Sequence, residues 1–491
     1  SSGQGALRLW ATYGGGRLVD ATADLALAAV EARLASDLRP LRLAGVSGRV
    51  QARQSARGYE FGVRRLALLP AEGPAMQGST FRASWEPAAP ARGTFSAELV
   101  ELAPLAHLAE HLPFPAELRK LLADLAPQGR LLEAGLDWTG ELPQPATFRA
   151  RARFEGLTMS AWRAVPGFAN LSGRIEATQD KGTLALASQR PEIDLPRVFP
   201  EPRVRLASLS GEVGWERGAH GATVRVAGLA YANEDFAGTA SGTYATSGDG
   251  GPGFLDLAAQ LSRLDAGRLA RYLPLPTLMG EKTRAWLLSA IRGGQATDVR
   301  LRLQGNLRDA PFADPMLGQL EVVAQVRNGT LAFAESWPAL EEFAGELRFE
   351  RNRMEITGRS ARTLGLALTG MRAVIPSLRA PAVLTVTGAA EGPGAAFLDY
   401  LRRSPVQRTI GGVPEGVQAD GRAQLQLRLE LPLSELAKSK VEGALRFANN
   451  TLRLGARLPP VERASGTLAF TESSVQLREG SARFLGGVRI A

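Results

Sequence analysis

The chain of 491 residues contains no cysteine, so disulfides, thiolate metal centres and a thiol nucleophile are all excluded. Its three histidines leave little choice of general base or imidazole ligand. No serine has glycine two residues before and two after it, so there is no nucleophile elbow. The glycine-rich stretches at 14–16 and 248–253 lack the lysine of a phosphate-binding loop and are read as turns. No apolar run approaches the roughly 18 residues needed for a membrane-spanning helix. The N-terminus shows neither the basic region nor the apolar stretch of a signal peptide. The chain opens at Ser1 and closes on an apolar run, 484–491, read as a strand cut short, so an excerpt from a longer protein is expected. Aromatic residues make up 6% of the chain, and its arginines are dispersed along strands rather than gathered in a patch; nucleic acid is therefore not an expected partner. The net charge of +9 belongs instead to a solvated outer face.

What is present is alternation. Val299, Leu301 and Leu303 interleave with Arg300, Arg302 and Gln304, and Leu425, Leu427 and Leu429 interleave with Gln424, Gln426 and Arg428. A period of two with one apolar set predicts strands with one dry face. Asn328-Gly329, Asn449-Asn450 and the 248–253 stretch are read as turns between antiparallel strands.

The chain also matches itself. Thr158, Thr330 and Thr451 correspond, each followed by an apolar residue, then by a proline (Pro166, Pro338, Pro459) and a glycine (Gly173, Gly345, Gly466) expected to start a return strand. Leu112-Pro113-Phe114-Pro115 likewise matches Leu273-Pro274-Leu275-Pro276. A helix is predicted after each: over Leu118, Leu121, Leu122 and Leu125 in the first copy, and over Met279, Trp286, Leu287 and Ile291 in the second, where Gly293-Gly294 supplies the stop. A looser third copy runs from Phe397 to Gly421. The expected organisation is an N-terminal β-rich segment over 1–101 and repeat units over 102–258, 259–390 and 391–491, the last truncated at its C-terminus. The fold class is mainly β: an elongated, twisted antiparallel sheet trough with short helical insertions.

The sharpest chemical motif is His107-Leu108-Ala109-Glu110-His111, whose histidines are spaced to share a helix face and bind zinc. The equivalent positions of the second copy are Arg268, Arg271 and Tyr272, which preserve no metal ligand, so a partly exposed helix is the reading adopted. No catalytic residue, metal or cofactor is expected, and the protein is not expected to be an enzyme.

Asn328-Gly329-Thr330-Leu331-Ala332-Phe333, continuing to Trp337-Pro338 and Gly345-Glu346-Leu347-Arg348-Phe349, is similar to the YhdP branch of the AsmA-like family. So is the stretch from Met279 through Trp286-Leu287 to Gly293-Gly294 and Leu303-Gln304-Gly305-Asn306-Leu307. The resemblance covers essentially the whole chain and rests on the order and spacing of diffuse strings. It implies the periplasmic middle segment of a bridge-like lipid transport protein of the Gram-negative cell envelope, anchored in the inner membrane through an N-terminal helix this chain lacks. Phospholipid acyl chains would lie in an apolar β-groove, with outer-membrane or periplasmic proteins as further partners. The residues expected to line that groove are Val299, Leu301, Leu303, Leu331, Phe333, Leu347, Phe349, Met354, Ile356, Leu425, Leu427, Leu429, Leu452 and Leu454. The alternative is a structural or adhesive β-solenoid closed by its own side chains.

Overall fold

The computed structural model describes residues 2–490 apart from 37, 143, 163–164, 220, 277–280, 380, 410–411, 415, 456–457 and 485–487. The chain divides into two units, one formed by 1–197, 201–233 and 240–249, the other by 198–200, 234–239 and 250–491. The fold is mainly β and antiparallel with a few short helices, as the alternation predicts.

In the first unit, β1 (Ser2–Gly14), β2 (Arg17–Ala32), β3 (Leu41–Gln54), β4 (Tyr59–Pro70), β5 (Met76–Glu86) and β6 (Arg92–Glu101) run up and down, each pairing antiparallel with the next. Helices α1 (Leu102–Leu108) and α2 (Ala116–Leu125) interrupt the meander before β7 (Gln128–Thr139), β8 (Thr147–Met159), β9 (Gly167–Thr178) and β10 (Lys181–Gln189). The short strands β11 (Glu192–Asp194) and β12 (Arg203–Arg205) extend the ladder beyond β9. Then β13 (Ser208–Gly218) pairs with both β10 and β14 (Gly221–Ala232). The next strand, β15 (Phe236–Ala245), is divided between the units.

The second unit repeats the scheme. Strand β16 (Phe254–Asp265) is followed by α3 (Glu281–Ala290), then β17 (Ile291–Asn306), β18 (Gly318–Leu331), β19 (Leu340–Glu350), β20 (Arg353–Thr363), β21 (Leu366–Ile375) and β22 (Val383–Pro393). Helices α4 (Gly394–Arg403) and α5 (Val406–Thr409) precede β23 (Gln418–Asp420), β24 (Arg422–Pro432), β25 (Lys440–Arg453), β26 (Val461–Thr471), β27 (Val475–Phe484) and β28 (Val488–Ile490). Pairing is again antiparallel between neighbours, with β22 passing to β24. Among the described residues β1 pairs only with β2, and β28 only with β27, so neither ladder returns to close a barrel.

The up-and-down course gives each unit two rims. Among the described residues the α-helices lie at one of them: α1 and α2 follow β6, α3 follows β16, and α4 and α5 follow β22. The strands bend close to that rim. Register shifts mark β-bulges there, in which one strand carries an extra residue in the left-handed region, a device that bends and twists a sheet. The three sequence copies place this device identically. Gly156, Asn328 and Asn449, each two residues before the matched threonine, have φ of 62°, 50° and 57°. Asn170, Glu342 and Arg463, each three residues before the matched glycine, have φ of 58°, 50° and 50°. The repeat is thus a hairpin with two facing bulges, formed by β8–β9, β18–β19 and β25–β26.

Three expectations are corrected here. Asn328-Gly329 and Asn449-Asn450 are bulges inside β18 and β25 rather than turns. Gly173, Gly345 and Gly466 sit inside their strands beyond the bulge and do not start them, while Pro166, Pro338 and Pro459 do lie in the connections. The predicted helix over Met279–Ile291 is also shorter: α3 ends at Ala290, and Ile291, Gly293 and Gly294 open β17. A Cβ on Gly294, which has φ of +118°, would lie 2.7 Å from the Gly329 backbone, so the glycine serves close approach to the facing bulge rather than a helix stop. Met279 lies outside the described residues.

Candidate functional site

Directly opposed residues of an antiparallel pair share a face of the sheet, so register converts sequence alternation into a surface. In the first unit one row begins Ala11, Ala21, Ala52, Phe61, Ala83 and Phe95, each opposite the next on β1 to β6. It continues through Leu136, Ala150, Ala177, Gly182, Trp215 and Val224 on β7, β8, β9, β10, β13 and β14. Twelve strands contribute to it without one polar residue. The row one residue away points to the other face: Thr12, Asp20, Arg53, Glu60, Ser84, Thr94, Asp137, Arg149 and Thr178, with no apolar residue across nine strands.

The second unit has the same two faces. Ala259, Leu301, Val322, Phe349, Met354 and Ile375 form one continuous row. Leu347, Ile356, Ala373, Val386, Leu429 and Val441 form the next, and Ala390, Leu425, Leu445, Leu468 and Leu477 a third. The opposite face is ionic. Arg348 pairs with Glu321 at 3.0 Å, Arg372 with Glu355 at 2.7 Å, and Arg422 with Glu391 at 2.7 Å. The Arg372 and Arg353 guanidiniums hold the Glu355 carboxyl below the usual carboxylate range, and Arg422 does the same to Glu391. In the first unit Arg49 holds Asp24 down across a 2.6 Å contact.

The apolar face is sealed in one band and open in another. Near the helix rim Phe343, 1% exposed, packs with Val326, Leu331 and Ala361. Phe397 of α4 closes a second cluster with Leu366, Ala390 and Ala423. Beside them Tyr400 meets Trp337, which meets Phe333, and burial pushes the Tyr400 phenol up to about 12. Away from that rim most side chains are only half-buried, including Leu301, Leu303, Phe349, Leu427 and Leu429; Met354 and Ile375, covered at the far rim, are exceptions. The accessible surface is 29513 Å². Two compact globules of half the mass would expose about 21,000 Å² together. The excess is what sheets with an uncovered apolar face would leave.

Of the residues expected to act together, Val299, Leu301, Leu303, Leu347, Phe349, Met354, Ile356, Leu425, Leu427 and Leu429 fall on this one face. Leu331 is buried in the Phe343 cluster. Phe333 lies beyond the end of β18, where its carbonyl accepts a hydrogen bond from Trp286 Nε1 at 3.2 Å. Leu452 pairs with Val461 past the β25 bulge, and Leu454 follows the strand, 52% exposed. Sequence reasoning did not single out the first-unit row, although the alternation in 147–154 carries its signal.

His107 and His111 have ring centroids 6.5 Å apart, but Glu110 pairs with Arg39 and His111 Nδ1 lies 3.3 Å from the Arg39 carbonyl. Among the described residues no group of three or more His, Asp or Glu is arranged to hold a metal. No helix among them is long and apolar enough to cross a membrane.

A protein of Escherichia coli (strain K12), described as "Intermembrane phospholipid transporter YhdP", is 26% identical over 371 residues, 74% of this chain and 28% of that protein. The chain therefore spans little more than a quarter of the length of that curated relative. No solved structure matches it. The family model described as "YhdP protein" matches residues 1–488, and with agreement over nearly its whole length the chain belongs to the YhdP family.

Proposed function

We infer that this chain is a periplasmic segment of an inner-membrane-anchored protein that conducts phospholipid between the two membranes of the envelope, its acyl chains lying on the apolar face. The observation that carries this reading is the twelve-strand row without a polar interruption, left half-exposed along most of its length. A contiguous exposed apolar surface of this kind marks a site covered by something else. The E. coli relative, described as a phospholipid transporter, names the chemistry that fits it. Each methylene moved out of water gains about 0.8 kcal/mol, so an acyl chain can pass from bilayer to apolar sheet at little net cost. The open band supplies the lining: Leu301, Leu303, Phe349, Leu427 and Leu429, with Val299, Leu347, Ile356 and Leu425 beside them. The reading needs no catalytic group. A closed solenoid is disfavoured, because these side chains remain partly open and neither ladder closes on itself.

The test is lipid content. Phospholipid extracted from the purified chain and measured by mass spectrometry is expected in the parent and in Gln426→Asp, which changes the ionic face, and is expected to be lost from Leu427→Asp, one residue away on the apolar face. A parent without lipid, or equal content in the two variants, refutes the reading.

A further inference from the structure

Large aromatic rings on the apolar face present a geometric problem: one standing upright would block any chain lying along the sheet. Register shows where the rings go. Trp138 is directly opposite Gly93, Trp215 opposite Gly182, Phe470 opposite Gly443 and Phe154 opposite Gly173. In each pair the ring occupies the space a Cβ on the glycine would need. A Cβ on Gly93, Gly182 or Gly443 would be built into the ring of its partner; one on Gly173 would meet the Ala185 carbonyl oxygen first, and Phe154 Cζ at 2.9 Å. Phe343 also lies over two glycines, its ring 2.7 Å from a Cβ on Gly345 and 2.9 Å from one on Gly358, although the Thr357 carbonyl oxygen comes closer to the first and Met371 Cε, at 2.6 Å, to the second. The rings therefore lean across the neighbouring strand. The same alternation of large and small runs through Ala52, Phe61, Ala83 and Phe95.

We propose that these cross-strand glycines, chiefly Gly93, Gly182 and Gly443, are determinants of the lipid path, because they level its floor by giving each aromatic ring a place to lie flat. The inference rests on the lipid-conducting reading and adds to it a structural requirement: depth over the sheet is set by the absence of a side chain beneath each ring. Glycine in a strand interior weakens the strand. The recurrence of glycine opposite tryptophan and phenylalanine, on strands far apart in sequence, therefore needs a reason that strand stability does not supply. Leaning rings cover bare backbone and bury their own faces, which partly offsets that weakness. What the arrangement adds is a low, smooth apolar surface.

Restoring a Cβ should force the ring upright. The 491-residue chain is incubated with phosphatidylethanolamine vesicles carrying a nitrobenzoxadiazole-labelled acyl chain, the vesicles are removed, and the bound label is read. Parent protein is expected to take up label. Gly443→Ala should show a several-fold loss, and adding Phe470→Ala to it should restore uptake, since the displaced ring is then gone. Phe470→Ala alone should keep uptake, because a floor without the ring is lower and still apolar. If Gly443→Ala does not fold, Phe470→Ala decides: retained uptake supports a levelling role, and lost uptake makes the ring a lipid contact and overturns it. Uptake by Gly443→Ala equal to the parent overturns the proposal while leaving the lipid reading intact. A parent that takes up no label sinks the reading beneath it.

Discussion

Leu303→Asp separates an open apolar face from a sealed core, and the structure sets the size of the effect. Leu303 is half-buried and stands between Leu257 and Leu320 on the neighbouring strands. Fully burying a leucine is worth about 1.5–3 kcal/mol, so a half-buried one forfeits roughly 1 kcal/mol on replacement. Aspartate is a poor strand former, which adds up to about 1 kcal/mol. The expected loss is therefore about 2 kcal/mol, with the new carboxylate hydrated and titrating in its ordinary range. A sealed face would behave differently, because a buried unpaired carboxylate costs several kcal/mol more and its pKa rises. A raised folded-state pKa means stability is lost as pH rises through it, so the penalty would be far larger at about pH 7.5 than at about pH 5. Phe343→Ala is the internal standard for a sealed site: its ring is 1% exposed, and truncation should cost about 3–5 kcal/mol. Urea denaturation followed by circular dichroism measures all three proteins. A Leu303→Asp loss as large as that of Phe343→Ala, or one growing steeply with pH, would refute the open face.

Two further outcomes follow from the bulges and the ionic face. Asn328 sits at φ 50°, so Asn328→Val should lose about 1–2 kcal/mol in urea denaturation while Asn328→Gly loses little, and equal effects would count against bulge strain. Arg372→Ala should return the Glu355 carboxyl toward its usual range, seen by carbon-detected NMR titration. Because the folded-state pKa is depressed, the pair's contribution is present above the unfolded carboxylate value and lost as pH falls through the folded one, so the variant's deficit of at most about 1 kcal/mol should appear at neutral pH and fade on acidification.

The alternation of Val299, Leu301 and Leu303 and of Leu425, Leu427 and Leu429 made one face legible before any fold was known, because period two is a local property. Phe333 was misplaced for the same reason: parity counted from Leu331 continues on paper after β18 has ended. Asn328-Gly329 carries the composition of a hairpin turn, and only pairing with β17 and β19 shows that it bends a strand in mid-course. At Glu342 and Arg463 nothing in the residue type announces a left-handed backbone; the position is imposed by the matching bulge on the facing strand. The glycine under Trp138 lies at position 93, a relation that exists only through register.

The paired bulges also constrain how such a chain can change over generations. Removing one residue from β19 beyond the Glu342 bulge would turn over the side chains that follow it relative to β18, exchanging leucine for arginine on the apolar face. Removing or copying a whole hairpin leaves every face as it was, because each hairpin brings both of its own bends. Viable length variation should therefore come in hairpins, and single-residue gaps should gather in the connections at the rims.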